Sequence, residues 1–107
     1  DSSSSLQTFV LEARDQLAQL EQGLLSLDAG SAASADTLND IFRAAHTIKG
    51  SAGLFGLDTI VAFTHAVESV LSELRDGSLV PDAALVTVLL GSHDHLVGLI
   101  DAKMSKA

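Results

Sequence analysis

Between Leu6 and Leu27 the apolar positions Leu6, Phe9, Val10, Ala13, Leu17, Leu20, Leu24 and Leu27 keep a helical period, which predicts a first amphipathic helix with Ser4 or Ser5 as its cap. The stretch Asp28 to Ala35 loses that period and gains small and polar residues, so it is read as a connection. Asp36 caps a second predicted helix, whose stripe is Leu38, Ile41, Ala45, Ile48 and Ala52 and which stops near Gly53 to Gly56. A third helix, capped by Asp58 and closed by Gly77, lines Ile60, Phe63, Thr64, Val67, Val70, Leu71 and Leu74 along one face. Pro81 and Asp82 open a fourth, since proline suits a first helical turn, and Leu85, Val88, Leu89, Leu96, Leu99 and Ile100 supply its buried side. Four stripes joined by short connections cannot be buried singly. The predicted fold is all-α, an antiparallel up-and-down four-helix bundle formed by residues 1–107 as one domain.

Composition supports this and narrows the function. The 107 residues include one proline and no aromatics besides four phenylalanines, a balance that favours helices over sheets. A formal charge of -8 repels phosphate backbones and anionic headgroups, so nucleic acid is not an expected partner. Cysteine is absent, which removes disulfides and thiolate metal sites and suits a cytoplasmic protein. Asp1 to Ser5 lack the layout of a signal peptide, and no run of about 18 apolar residues is present, so no direct membrane insertion is expected. The chain is read as a fragment of something longer.

The candidate chemistry centres on His46. On a helical wheel it points roughly 120° away from the middle of the second helix's stripe, beside the core but not in it. Gly50 and Gly53 fall within about 40° of it on the same wheel, leaving its C-terminal side uncovered, and Lys49 brings a cation to the same patch. Glycines inside a helix cost roughly 0.5–1 kcal/mol each relative to alanine, and close approach by another macromolecule is a reason to tolerate them. The same spacing also fits glycines that merely end the helix beside an ordinary surface histidine.

On the third helix Glu68 lies about 100° from the stripe's centre, where it can flank the core toward His46. A carboxylate accepting from Nδ1–H fixes the imidazole tautomer and leaves Nε2 as a directed nucleophile. Glu68 fits equally as one of several solvated carboxylates. His65, one turn before it, can extend a hydrogen-bond cluster or sit plainly on the surface. His93 and His95 are about 160° apart on a helix and cannot chelate one metal together, so both are read as structural or solvated. His46 and His65 lack further ligands for a metal or haem. No phosphate-cradling glycine loop and no nucleophile elbow occurs, so no ATP site is expected in the chain.

The run from Ile41 to Leu57, with Phe42-Arg43-Ala44-Ala45-His46 followed by Lys49-Gly50, resembles the phosphorylation motif of histidine phosphotransfer domains. With Glu12, Ala13, Leu17 and Glu21 on the first helix and Thr64 to Glu68 on the third, it is similar more narrowly to the N-terminal phosphotransfer domain of CheA-type chemotaxis kinases, over roughly residues 6 to 77. The resemblance implies that His46 accepts a phosphoryl group while Glu68 holds the other ring nitrogen. It implies that Lys49 offsets phosphate charge, that His65 belongs to the supporting network, and that Gly50 lets a partner come close. It also implies two partners, an ATP-binding kinase domain as donor and a response-regulator receiver domain as acceptor, with ATP and Mg2+ used by those partners and no cofactor held here. A further C-terminal helix beyond the four is compatible with the family. Two other readings share these residues: a free-standing phosphorelay shuttle, and a non-catalytic helical docking module.

Overall fold

The computed structural model describes residues 2–28 and 34–105. Four helices run in sequence, α1 (Ser2–Asp28), α2 (Ala35–Leu54), α3 (Asp58–Asp76) and α4 (Ala83–Ser105). They pack in ring order, α1 against α2 and α4, α2 against α3, and α3 more lightly against α4, which is the expected up-and-down bundle. The result is a rod of 45 × 20 × 19 Å.

The core follows from the stripes. Phe9, Val10, Ala13, Leu17, Leu20, Leu24 and Leu27 of α1 are all buried, as are Ile41, Ala45, Ile48 and Ala52 of α2. Two apolar clusters stack along the rod, one around Leu20, Ile41, Leu71 and Leu89, the other around Phe9, Ile48, Ile60 and Leu96.

The helix ends depart from expectation in ways that local chemistry explains. α1 already includes Ser4 and Ser5, so neither is its cap, and the connection expected at Asp28 to Ala35 falls largely on residues 29–33, outside the described residues. α2 is capped by Ser34, whose Oγ accepts from the Thr37 amide at 3.0 Å, and Asp36 lies in the first turn instead. Asp58 is the first residue of α3 rather than its cap, which is Leu57. Gly77 does close α3, in the left-handed region at φ 85°, with the Ser78 amide donating back to the Glu73 carbonyl at 2.9 Å. Asp82 caps α4 by accepting from the Leu85 amide at 2.8 Å, and Pro81 precedes the helix instead of entering it.

α4 is where the predicted core is most in error. Val88 is 63% exposed, and Val86 and His93 take inward positions not assigned to them. Leu85, Val86, Val88, Leu89 and Leu90 surround the helix with apolar side chains, so periodicity alone does not choose the face. By length and composition Ala83–Met104 is apolar enough to cross a membrane. In this fold Val86, Leu89, Leu96 and Ile100 are buried instead within the bundle. His93 is buried too: its Nε2–H donates to the Leu17 carbonyl at 3.0 Å, tying α4 to α1.

One tight contact has no counterpart in the stripe pattern. A Cβ placed on Gly23 would collide with Ile41 Cγ2, and Ile41 is fully buried with a β-branch that cannot swing away. Gly23 therefore sets the approach of α1 to α2, the helix that carries His46. Gly23→Ala is expected to destabilise the bundle by about 1–3 kcal/mol from overpacking, reduced somewhat by the better helix propensity of alanine. A thermal melt followed by circular dichroism checks this, and an unchanged or raised midpoint refutes the tight crossing.

Candidate functional site

The site lies on one side of the rod, where α2 and α3 run side by side. Ile41, Ala44, Ala45, Ile48 and Ala52 occupy the inner arc of α2, which turns His46 outward and leaves its side chain 63% exposed. Glu68 projects from α3 between buried Val67 and Leu71 and is itself buried. A carboxylate in that position needs partners for both oxygens, because an unpaired buried charge is costly. It has them. Oε2 accepts from His46 Nδ1–H at 2.5 Å and Oε1 accepts from the Lys49 ammonium at 2.6 Å.

Three residues expected to cooperate are thus joined, with His46 and Lys49 both held by the Glu68 carboxylate. Burial pushes the Glu68 carboxyl upward, but the hydrogen bonds from Lys49 and His46, together with their charges, outweigh it and hold the group below the ordinary value of 4.5. An ionised Glu68 can only accept, so Nδ1 must carry the hydrogen and the lone pair of the neutral ring resides on Nε2. No described residue hydrogen-bonds Nε2. Lys49, expected to offset phosphate charge, is already paired with Glu68.

The other assigned positions divide cleanly. A Cβ added at Gly50 or Gly53 would meet nothing within 4 Å, so neither glycine is required by packing, and the surface beside the ring is open. His65 is exposed, and among the described residues its side chain joins none of the bonds linking His46, Lys49 and Glu68, contrary to the supporting role expected of it. Both oxygens of the Glu68 carboxylate are already taken by His46 and Lys49.

The sequence reading missed two neighbours of the ring. Phe42, one turn before His46, stacks on the imidazole with centroids 6.0 Å apart and planes 10° from parallel. The guanidinium of Arg75, from the end of α3, lies 3.9 Å from the centroid of the Phe42 ring. The i–4 spacing of Phe42 was a usable signal, whereas the reach of Arg75 depends on how the two helices are registered.

Among the described residues one group brings three metal-ligand atoms within 4.8 Å of one another, Glu21, His93 and Asp94. Both its carboxylates are exposed, and both ring nitrogens of His93 already face protein acceptors, so it is explained by the seating of α4 on α1. His95 instead packs its exposed ring against Phe63, with centroids 4.7 Å apart.

Residues 4–102 match the family model described as Hpt domain. The chain belongs to the Hpt domain family. The chemotaxis protein CheA of Rhizobium meliloti is 45% identical over 94 residues, covering 88% of this Hpt domain but 12% of that protein. CheA of Salmonella typhimurium is 41% identical over 102 residues, with coverages of 95% and 15%. The Hpt domain thus spans only a small part of the length of these relatives. Among solved structures it is similar to the phosphorylated P1 domain of CheA3 in complex with CheY6 from R. sphaeroides, with a TM-score of 0.89 and 26% identity over 97% of this chain and 80% of that one. The CheA phosphotransferase domain from Thermotoga maritima gives 0.88 and 26%, covering 95% and 96%. The resemblance read from the motif and the four-helix architecture are both borne out by these relatives.

Proposed function

We propose that this Hpt domain is one module of a chemotaxis-type histidine kinase, in which His46 accepts a phosphoryl group at Nε2 and passes it to an aspartate of a response-regulator receiver domain. One observation carries the reading: a buried, ionised carboxylate accepts a hydrogen bond from Nδ1–H of an otherwise exposed imidazole, so the free lone pair is on Nε2. In the first step Nε2 attacks the γ-phosphorus of ATP held by the kinase domain, an N–P bond forms, and the P–O bond to ADP breaks. In the second the receiver's carboxylate attacks the same phosphorus, the N–P bond breaks, and the electron pair returns to Nε2.

Phosphoryl transfer requires in-line positioning and neutralisation of charge on the transferred oxygens. This domain contributes the positioned nitrogen. The magnesium and the acidic pocket that complete the site belong to the partners, and the compartment is the cytoplasm, where ATP and response regulators are found. The relative solved with CheY6 is a phosphorylated P1 domain, which supports a receiver as the second partner.

The test is incubation with the ATP-binding domain of a CheA relative, ATP and magnesium, followed by mapping of base-stable phosphate, because phosphohistidine is acid-labile. Phosphate on His46 is expected. Its absence, or its appearance on another residue, overturns the assignment.

The openness at Gly50 makes a separate prediction. Gly50→Ala is expected to stabilise the domain by roughly 0.5–1 kcal/mol, since alanine is the better helix former and its Cβ meets nothing within 4 Å. Transfer to a receiver is expected to slow, while phosphorylation by a small-molecule donor is unchanged. Equal transfer rates for Gly50→Ala and the wild type remove partner approach as the reason for the glycine.

A further inference from the structure

We propose that Phe42, held by Arg75, is a positioning residue that fixes the plane of the His46 ring for phosphoryl transfer. This rests on the reading of His46 as the phosphoryl acceptor. The bond from Nδ1 to Glu68 restrains the imidazole at one atom only. Rotation about Cβ–Cγ is a soft torsion for a ring side chain, so a ring anchored at one nitrogen and largely exposed still has freedom to tilt. The Nε2 lone pair lies in the ring plane, and tilting the plane turns it off the line of attack. Misplacement on the scale of 1 Å is enough to cost about 100-fold in rate.

The Phe42 face supplies the missing restraint. Its ring lies nearly parallel to the imidazole, 10° between planes, and is the one aromatic ring stacked on His46 among the described residues. Phe42 is itself only partly buried and has Arg75 against its ring, 3.9 Å from the centroid. Glu68 and Arg75 are seven residues apart on α3, two turns along one face. The antiparallel register sets them against His46 and, one turn earlier on α2, Phe42. One helix therefore holds the imidazole edge through Glu68 and steadies its flat neighbour through Arg75. A leucine at 42 keeps apolar volume but offers no plane, a tyrosine keeps the plane, and a glutamine at 75 removes the cation.

The experiment phosphorylates the wild-type chain, Phe42→Leu, Phe42→Tyr and Arg75→Gln with phosphoramidate, a donor too small to need a docking surface, and measures the saturating rate and the donor KM. Imidazole 15N spectra report the tautomer in each. For Phe42→Leu the saturating rate is expected to fall about five- to tenfold with KM within about twofold and the Nδ1–H signature kept. Phe42→Tyr is expected within about twofold of the wild type, and Arg75→Gln about two- to threefold slower. A wild-type rate for Phe42→Leu, a loss confined to KM, a loss of the Nδ1–H signature, or failure of tyrosine to restore the rate overturns the proposal. If Phe42→Leu does not fold, exposed Arg75 decides, and a wild-type rate for Arg75→Gln refutes the clamp. Should the wild type itself take no phosphate on His46, the assigned function falls instead, so the two failures are distinct.

Discussion

Replacing His46 with glutamine is expected to abolish phosphate uptake from both a kinase domain and phosphoramidate while leaving the bundle folded. Glutamine has no nucleophilic nitrogen lone pair, because its amide electrons are delocalised, so no N–P bond can form at this position. Its amide N–H can still donate to the carboxylate below. The wild-type side chain is 63% exposed and contributes little to the core, so the change in stability is expected within about 1 kcal/mol. The measurement is phosphorus NMR at alkaline pH beside a thermal melt. Phosphate taken up by the variant would place the acceptor elsewhere, and an unfolded variant would show that the imidazole is structural.

Changing Glu68 to glutamine is expected to slow phosphorylation about tenfold or more, the scale seen when the group orienting a functional histidine is removed. A neutral amide can accept from Nδ1–H through its oxygen or donate to a bare Nδ1 through its nitrogen, so the tautomer is no longer enforced. The ammonium of Lys49 also loses its counter-charge, in a side chain that is only 25% exposed. An unchanged rate in this variant removes Glu68 from the mechanism. The carboxylate also predicts a pH dependence. Its folded-state value is depressed below 4.5, so its contribution to stability is present above 4.5 and is lost as the pH falls through the folded value. The stability gap between wild type and Glu68→Gln is therefore expected to be present at about pH 4.5 and to shrink below it. Denaturant titrations at several pH values below 4.5 check this, and a gap that fails to shrink there contradicts the ionised state.

How legible these features were in the sequence depended on how local their causes are. The stripes of α1, α2 and α3 were readable because polar residues separate them cleanly, and α4 was misassigned at Val86 and Val88 because apolar residues surround it there. The end of α3 was readable because Gly77 adopts a backbone that favours glycine. The start of α2 was off by two because Ser34 and Asp36 are both good caps, and only the bond to the Thr37 amide distinguishes them. At the site, the outward aim of His46 followed from the wheel. The burial of Glu68 did not, since one flank position can be wet or dry depending on the neighbouring helix. The crossing at Gly23 and the reach of Arg75 to Phe42 are products of assembly, with no trace in either helix alone.

The openness of the imidazole has a consequence for timing. On the proposed function, a phosphoryl group on Nε2 is carried by a side chain that is 63% exposed, with no described residue bonded to that nitrogen to shelter it. Its persistence is then governed by the intrinsic hydrolysis of the N–P linkage and by how soon an acceptor arrives. On that proposed function the domain is an unshielded carrier, and the lifetime of the signal it holds is set by the abundance of its visitors.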